Sequence, residues 1–516
     1  METEGGRTLS LWMGTTEVPG RPSLADNLDT DVCIVGAGIA GLSTAYLLTR
    51  EGRRVVVLDD GPIGGGETGR TTAHLASALD DRFYRLEELH GEQGARLAAQ
   101  SHAAAIDRIE AIVAAEAIDC DFERLDGYLF APPGESDPAE LDREEEAARR
   151  AGLQVEAVRR APLGSFDTGP ALRFARQAQF HPLRYLTGLA KAVLASGGQI
   201  FTKVHVEEFE GGRRARVKTA TGREVTATAL VVATNVPVND RLVIHARQAA
   251  YRTYAIAVEV PTGSVTRALF WDTLDPYHYL RLQGMGAGKP EVLIVGGEDH
   301  RTGQADDTAE RWSRLERWTR ERLPMAGPVT YRWSGQVMEP GDALAFIGRN
   351  PMDKDNVFIA TGDSGHGMTH GTIAGMLITD LLQGRENPWA DLYDPGRKTL
   401  RAAKEYASEL AQSNKPLAQW ATPGEVSSVD EIPPGQGAIL RHGLQKVAAY
   451  REPGGGVIEL SAVCRHLGCI VEWNAGEKTW DCPCHGSRYA PDGRVLNGPA
   501  RTGLPAVKVL ETTARS

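Results

Sequence analysis

The distribution of apolar and polar residues predicts two buried parallel strands joined by a helix near the N-terminus. Residues 31–35 (DVCIV) and 54–58 (RVVVL) are short apolar runs, which are typical of strands covered on both faces of a sheet. The segment from about Leu42 to Glu51 between them has the composition and spacing of a helix. This order of elements predicts an α/β domain with a parallel sheet.

Two further patterns extend this picture toward the middle of the chain. Leu, Ile and Ala at helical spacing predict helices, and short runs rich in β-branched residues predict strands. The stretch 250–297 alternates β-branched and aromatic residues with polar ones, so it predicts a second sheet. The predicted helices cover 82–118 and 183–196, and the predicted strands cover 199–203, 204–209, 214–219, 229–233, 291–295 and 356–360.

The last part of the chain has a different composition. A polar, Ala-rich helix is predicted over roughly 397–412, followed by a linker with Pro and Gly. After Gly424, short apolar runs alternate with turns such as 433–435 (PPG), which is typical of a small all-β domain. The expected organisation is an N-terminal extension (1–28), an α/β region (29–393), a helical linker (394–423) and a β domain (424–516).

Length and charge narrow the class of protein. At about 150 residues per domain, 516 residues correspond to roughly three domains. The net charge of −11 weighs against a nucleic-acid partner, because binding to phosphates needs clustered cations. No apolar run is long enough for a membrane span, and the first residues lack the basic and apolar regions of a signal peptide. We therefore expect a cytoplasmic protein.

A glycine motif separates the first strand from its helix. Residues 36–41 (GAGIAG) place Gly36 at the tight turn, Gly38 where a pyrophosphate approaches and Gly41 where helix and strand pack. The amides at the start of the helix would bind phosphate. Asp59, at the end of the second strand, would accept hydrogen bonds from a ribose. The motif alone leaves NAD, FAD and a turn without a ligand open.

Other segments resemble the D-amino-acid-oxidase/glycine-oxidase superfamily of FAD enzymes. These are 61–75 (GPIGGGETGRTTAHL), 204–210 (VHVEEFE), 229–235 (ALVVATN) and 356–371 (NVFIATGDSGHGMTHG). The resemblance covers about residues 30–390. It implies FAD as cofactor, a Rossmann-type FAD-binding domain (about 29–80, 150–240 and 335–393) and an interleaved antiparallel-sheet substrate domain (about 81–149 and 241–334).

The resemblance also implies positions around the cofactor. The backbone of Val206 is expected at the adenine, and the helix after Gly367 is expected to point its N-terminus at the pyrimidine edge of the flavin, where its dipole stabilises negative charge. The residues expected to contact FAD are Gly36, Gly38, Ile39, Ala40, Gly41, Asp59, Arg70, Thr71, Thr72, Val206, Ala233, Thr234, Gly362, Gly365, Gly367, Met368 and Thr369.

The sequence gives a weaker indication of the residues that bind the substrate. The superfamily places the second sheet over the reactive face of the flavin, and an arginine there could pair with a substrate carboxylate. The catalytic candidates are Tyr277, Tyr279, Arg281, His300 and His366, with His278, Arg301, Trp333 and Arg349 as further candidates. The alternative is that these residues only pack the sheet or form surface ion pairs. His74 is expected at a helix start near the flavin, with covalent attachment to FAD as the alternative.

Four of the six cysteines fall close together near the C-terminus. Residues 464–466 (CRH) and 482–485 (CPCH) combine Cys and His in C-x-H and C-x-x-H halves, which indicates a metal or redox site. A zinc site is the alternative, although zinc knuckles usually have other spacings. Cys33 and Cys120 lie apart and are expected to be inert buried thiols.

These strings resemble the Rieske domain of cytochrome bc-type proteins. The resemblance implies a [2Fe–2S] cluster in which Cys464 and Cys482 bind one iron while His466 and His485 bind the other. It also implies a disulfide between the remaining two cysteines and hydroxyl donors near the cluster, which raise its potential. The implied disulfide joins Cys469 and Cys484, and the implied donors are Ser487 and Tyr489.

Together these features predict an FAD-dependent oxidoreductase of the α/β + β class. We expect it to oxidise a small amine or amino-acid-like substrate by hydride transfer and to relay electrons through the cluster to an external protein, quinone or oxygen. No second nucleotide fingerprint is visible, so an organic substrate is favoured over NAD(P)H as the electron source. The alternatives are an electron-transfer module that serves a protein partner and a redox sensor.

Overall fold

A computed structural model describes residues 6, 8–134, 137, 139–239, 244–286, 288–305, 307–402, 406 and 415–507. Its α-helices are α1 (Leu11–Thr15), α2 (Ile39–Arg50), α3 (Phe83–Ala115), α4 (Ala139–Arg150), α5 (Pro182–Ala195), α6 (Thr308–Arg322), α7 (Gly367–Gln383) and α8 (Ala390–Tyr393). Within the part of the chain described, no helix is both long enough and apolar enough to cross a bilayer.

The strands divide between the α/β region and the C-terminal part. The first group is β1 (Leu28–Val35), β2 (Val55–Leu58), β3 (His74–Leu75), β4 (Glu123–Phe130), β5 (Val155–Val158), β6 (Ala171–Gln179), β7 (Gln199–Phe201), β8 (Val206–Glu210), β9 (Ala215–Thr219), β10 (Glu224–Val232), β11 (Gln248–Val260), β12 (Leu269–Asp272), β13 (His278–Gln283), β14 (Glu291–Arg301), β15 (Val329–Pro340), β16 (Phe346–Arg349) and β17 (Val357–Thr361). The second group is β18 (Gln436–His442), β19 (Gln445–Arg451), β20 (Val457–Ser461), β21 (Glu472–Asn474), β22 (Thr479–Asp481), β23 (Arg488–Tyr489) and β24 (Val495–Asn497).

The first sheet has the strand order β16-β17-β10-β1-β2-β7, with β8 and β9 attached beside β10. Its central pairs, from β17 to β7, are parallel. Val32 and Ile34 pack into one hydrophobic cluster, whereas Cys33 and Val35 pack into another. The continuous apolar run of β1 is thus buried on both faces, which confirms the predicted α/β core.

The second sheet has the order β15-β11-β14-β13-β12-β4-β6-β3, with β5 paired to β6. Its pairs are antiparallel except β4 with β12. This sheet corrects the predicted division of the chain in two places. Strands β5 and β6 belong to this sheet rather than to the parallel sheet, because β6 pairs with both β4 and β5. Strand β15 crosses the predicted boundary at 335 because it pairs with β11 along its length.

The C-terminal part is a small all-β domain, as predicted. It contains a three-stranded sheet (β18–β20) and a four-stranded sheet (β21–β24). Much of the predicted linker helix over 397–412 lies outside the described residues. On either side of that gap, 400–402 and 415–421 form short 3-10 helices.

A buried charge cluster joins the β domain to the α/β region. The carboxylate of Glu477, between β21 and β22, accepts hydrogen bonds from the hydroxyls of Thr8 and Ser334. The guanidinium groups of Arg70 and Arg252 lie 3.6 and 3.9 Å from the same carboxylate, and these three charged side chains are fully buried. The N-terminal extension, the 3-10 helix that contains Arg70, the second sheet and the β domain therefore meet at one ionic contact.

Candidate functional site

One cavity extends from the glycine motif to the second sheet. At its start, Gly36 has φ +111°, and a Cβ there would collide with the carbonyl oxygen of Ala233. A Cβ on Gly41 would collide with the carbonyl oxygen of Gly36, so this glycine lets α2 pack on β1 as predicted. Because these two positions carry no side chain, the strand, turn and helix pack closely together, and the space beside them stays open for a dinucleotide.

The phosphate end of the cavity is formed by the start of α2. The N-cap residue Gly38 makes no side-chain capping bond, and the amide of Ile39 donates to Thr68 Oγ1 at 3.1 Å. The carboxylate of Asp59 accepts from the amides of Ala37 (2.5 Å) and Gly61 (2.8 Å). Burial, with Asp60 nearby, raises the pKa of Asp59 to about 7. A helix start that lines the cavity and a buried acid at the strand end fit the phosphate and ribose of a dinucleotide.

Most residues expected at FAD line this cavity. Those that do are Gly36, Gly38, Ile39, Ala40, Asp59, Arg70, Thr71, Thr72, Val206, Ala233, Thr234, Gly365, Gly367 and Met368. Three of the expected residues do not line the cavity: Gly41, Gly362 and Thr369. A Cβ on Gly362 would meet Pro340, and the Thr369 hydroxyl bonds to His102 Nδ1 at 2.8 Å. They shape the wall without facing the cavity.

The sequence candidates for catalysis separate into two groups. Tyr277, Tyr279 and His366 line the cavity. Arg281 is buried elsewhere, where its guanidinium donates to Gln283 and to backbone carbonyls. His300 bonds to the Tyr254 hydroxyl at 3.0 Å, on the far side of the sheet. Arg281 and His300 are therefore not placed to touch a substrate in this cavity.

The further candidates also separate. Trp333 lines the cavity, whereas His278 stacks on Trp318 with ring centroids 4.1 Å apart, and Arg301 and Arg349 pack over the rings of Tyr251 and Phe358.

His74 faces the cavity but does not begin a helix. It lies in strand β3, which pairs with β6, and this corrects the expected helix start. Its ring nitrogens bond to Thr72 Oγ1 (3.1 Å) and to the carbonyl oxygen of Leu280 (3.3 Å). Burial lowers the pKa of His74 to about 3, so the ring is neutral at the pH of the cell.

Carboxylates dominate the substrate end, which the sequence analysis did not anticipate. Asp80, Asp299 and Glu339 line the cavity beside the two tyrosines. The Tyr277 hydroxyl donates to Asp80 Oδ2 at 3.2 Å. Burial raises the pKa of Asp299 to about 7 and that of Glu339 well above its usual range. Among the described lining residues the arginines are Arg70 and Arg501, which lie toward the β domain.

The cysteine and histidine ligand candidates come together at one end of the β domain. The rings of His466 and His485 lie 5.0 Å apart at 87°. Cys464 Sγ lies 3.2 Å from the hydroxyl of Tyr489. A hydrogen bond from Cys482 and one from Tyr489 lower the pKa of Cys464 to about 6. Two neighbouring buried thiols and two half-buried imidazoles fit the donor set of a [2Fe–2S] cluster.

The other two cysteines are joined to each other. Cys469 and Cys484 form a disulfide with Cα atoms 6.5 Å apart, as the resemblance implied. Their sulfurs lie within 4.8 Å of the Cys482 sulfur, but the disulfide removes them as metal ligands. They tie together the loop that contains Cys464 and the loop that contains Cys482, here called the ligand loops. Cys33 and Cys120 are buried free thiols whose pKa burial raises to about 12, which agrees with inert core residues.

The ligand loops face the α/β region. Gln336, which lines the cavity, donates through Nε2 to the carbonyl oxygen of Gly486 at 3.1 Å. The ring of His245 lies 4.8 Å from that of His466 and 5.7 Å from that of His485. One side chain therefore connects the cavity wall with the loop after His485. No sequence motif marks Gln336 or His245, so their roles emerge only from the docking of the two parts.

Comparison with known proteins agrees with both halves of this picture. The model of the DAO family, described as FAD dependent oxidoreductase, matches residues 31–381, and that of the Rieske [2Fe–2S] domain matches 422–508. The protein YhfW of Bacillus subtilis (strain 168), which carries the name of a Rieske 2Fe-2S iron-sulfur protein, is 30% identical over 95% of this chain and 96% of its own.

Two more distant proteins share the α/β region. The gamma-glutamylputrescine oxidoreductase of Escherichia coli (strain K12) is 28% identical over 73% of this chain and 91% of its own. The glycine oxidase of Geobacillus kaustophilus has the same fold over 72% of this chain and 100% of its own, with a TM-score of 0.61 and 18% identity.

Proposed function

The chain belongs to the DAO family of FAD-dependent oxidoreductases and carries a C-terminal Rieske [2Fe–2S] domain, and we propose that it oxidises a small amine and relays the electrons through the cluster to an external acceptor. The acceptor is a protein, a quinone or oxygen. The observation that carries this proposal is a single cavity with an acid-lined end whose wall residue Gln336 bonds to a loop of the Rieske domain.

The reaction removes a hydride from carbon and a proton from nitrogen of the amine, and water then hydrolyses the imine to a carbonyl compound and an amine or ammonia. FAD, when bound, accepts the hydride, and the cluster carries single electrons onward. We assign FAD to the lining residues named above and the cluster to Cys464, His466, Cys482 and His485. The polypeptide has to hold the substrate carbon over the flavin and to take the proton.

The carboxylates favour an amine over an amino acid. Asp80 and the ionised form of Asp299 attract an ammonium group, and they would repel a substrate carboxylate at the same place. Among the described lining residues, there is no arginine at this end that could pair with such a carboxylate. Oxidation needs the neutral amine, so a carboxylate with a raised pKa, such as Asp299, is suited to accept the proton of the ammonium. A relative named for gamma-glutamylputrescine is consistent with this preference.

Amine binding is expected to weaken as the pH falls below about 7. Burial raises the pKa of Asp299 to about 7, with Asp80 and Glu298 raising it and Thr253 and Arg311 lowering it. The ionised fraction of this carboxyl then falls about tenfold per pH unit below its pKa. Titrating a substrate amine against the oxidised protein, with the flavin spectrum as signal, measures this dependence. The Asp299→Asn variant should bind more weakly at pH 8 and show a flatter profile, whereas an unchanged profile contradicts the role of Asp299.

Reduction of the cluster is expected to depend on Gln336. In Gln336→Ala the hydrogen bond to Gly486 is lost, and cluster reduction should slow about fivefold, the factor that corresponds to one hydrogen bond of about 1 kcal/mol. Bleaching of the flavin by amine should keep its rate. Gln304→Ala is the matched control, because Gln304 donates to the carbonyl of Pro483 in the same loop without lining the cavity. Equal slowing in both variants would show that only loop rigidity matters.

Anaerobic stopped-flow mixing with a series of amines tests the function as a whole. The expected result is bleaching of the flavin followed by the electron paramagnetic resonance (EPR) signal of the reduced cluster. Bleaching without cluster reduction contradicts the relay. Absence of bleaching with every amine and amino acid, with reduction by a protein donor instead, favours an electron-transfer module.

A further inference from the structure

We propose that the Rieske domain forms part of the FAD site itself: residues 495–501, here called the closing segment, contact the adenosine half of the bound FAD and retain it. Nothing in the DAO family model covers these residues, because that match ends at 381. The proposal concerns cofactor binding and does not depend on which substrate is oxidised.

The closing segment lines the same cavity as the dinucleotide motif. Six of its residues face the cavity: Val495, Leu496, Asn497, Gly498, Ala500 and Arg501. They do so together with Asp59, His205 and Val206, which the first sheet places where the ribose and adenine are expected. A ligand that fills this half of the cavity is therefore in contact with both domains.

Hydrogen bonds hold the closing segment against the α/β region at two points. The amide nitrogen Nδ2 of Asn497 donates to Glu67 Oε1 at 3.2 Å. The carbonyl oxygen of Arg501 accepts from His205 Nε2 at 2.8 Å, and its guanidinium donates to the carbonyl oxygen of Glu207 at 2.7 Å. These bonds flank the adenine position assigned to Val206, so the wall is fixed where it would touch the nucleoside.

The other side of the closing segment rests on the ligand loops. The amide of Ala500 donates to Ser487 Oγ at 3.1 Å, and Asn497 Oδ1 accepts from Arg488 at 3.2 Å. Ser487 and Arg488 follow the proposed ligand His485 after one intervening residue, Gly486. The segment is thus a wall with FAD on one side and the cluster-bearing loops on the other. Since a ligand that binds across two docked parts stabilises their docking, FAD retention and the stability of the Rieske domain should be linked.

The first test measures release of FAD from the full-length holoprotein. After dilution, the increase of flavin fluorescence gives the release rate for the wild type, Asn497→Ala and Arg501→Ala. We expect each variant to release FAD about tenfold faster, which is the effect of one or two lost hydrogen bonds. The matched control is Arg494→Ala, because Arg494 is exposed in the same domain. The EPR signal of the cluster verifies that each variant keeps a folded Rieske domain. Wild-type release rates in both variants would overturn the proposal.

The second test measures the reverse effect. The visible circular dichroism of the cluster is followed on heating, with FAD bound and after its removal. Removal of FAD should lower the melting temperature of the cluster signal in the wild type, and the difference should shrink in Arg501→Ala. An unchanged melting temperature in the wild type would overturn the proposal. Because neither measurement involves turnover, failure here is distinct from failure of the amine-oxidation proposal.

Discussion

Replacing Cys482 with serine is expected to give a protein that binds FAD but lacks the cluster. Loss of a side chain that only hydrogen-bonds to a metal ligand already lowers metal affinity roughly 10–100-fold, and loss of a thiolate ligand lowers it more. The EPR signal and the iron content should therefore disappear. FAD should still bind, because Cys482 does not line the cavity, but it should be released faster than from the wild type, since the Rieske domain contributes the closing segment. Amine should still bleach the flavin, while reduction of an acceptor that depends on the cluster should stop.

A conservative change nearby provides the control for this result. Ser487→Ala removes a hydroxyl but no proposed ligand, so the cluster should remain while its reduction potential falls, since hydroxyl donors stabilise the reduced cluster. Metal analysis and a redox titration distinguish the two variants. A Rieske-type EPR signal in Cys482→Ser would contradict the ligand assignment. Zinc in place of iron in the wild type would favour the alternative metal site.

The parts of the site that could be predicted from the sequence are those specified by contiguous motifs. The turn at residues 36–41 needs glycine because neighbouring backbone atoms leave no room for a Cβ at Gly36 and Gly41. The proposed ligands of the cluster also lie in short contiguous motifs, because each ligand loop contributes a Cys and a His a few residues apart. These local motifs therefore indicate a dinucleotide site and a metal or redox site, and the resemblance to known families implies that the cofactors are FAD and a [2Fe–2S] cluster.

The substrate end could not be predicted in this way, because its residues come from separate elements. Asp80 precedes α3, Asp299 lies on β14 and Glu339 on β15. In the stretch that contains Asp299, the sequence indicates the neighbouring His300 as the candidate. Adjacent residues of a strand point to opposite faces, so only one of the two can face the cavity. Alternation likewise places Tyr279 and Arg281 on one face, but it does not say how far along the strand the cavity extends.

The interface between the domains contains one buried glutamate, Glu477, and its removal should have the largest effect on stability. Glu477→Ala removes the carboxylate that the buried guanidinium groups of Arg70 and Arg252 share. Breaking a buried ion pair by removing one partner typically costs about 3–5 kcal/mol of the free energy of unfolding. The exposed Glu452→Ala on the same domain serves as control and should change stability by less than about 0.5 kcal/mol.

Acid should have a related effect on the wild type. Burial opposes ionisation of Glu477, but Arg70, Arg252 and Arg488 outweigh it and keep the pKa of this carboxyl below its ordinary value. The contribution of the ionised form is thus complete above the unfolded-state pKa of about 4.5 and is lost as the pH falls through the folded-state value.

Urea unfolding between pH 7 and 4, followed by flavin fluorescence and by the visible signal of the cluster, measures this dependence. In Glu477→Gln the slope below pH 5 should be smaller, and an identical slope would show that other carboxylates determine it. Because the same side chain holds both domains, the two signals should change together in the wild type and separate in Glu477→Ala.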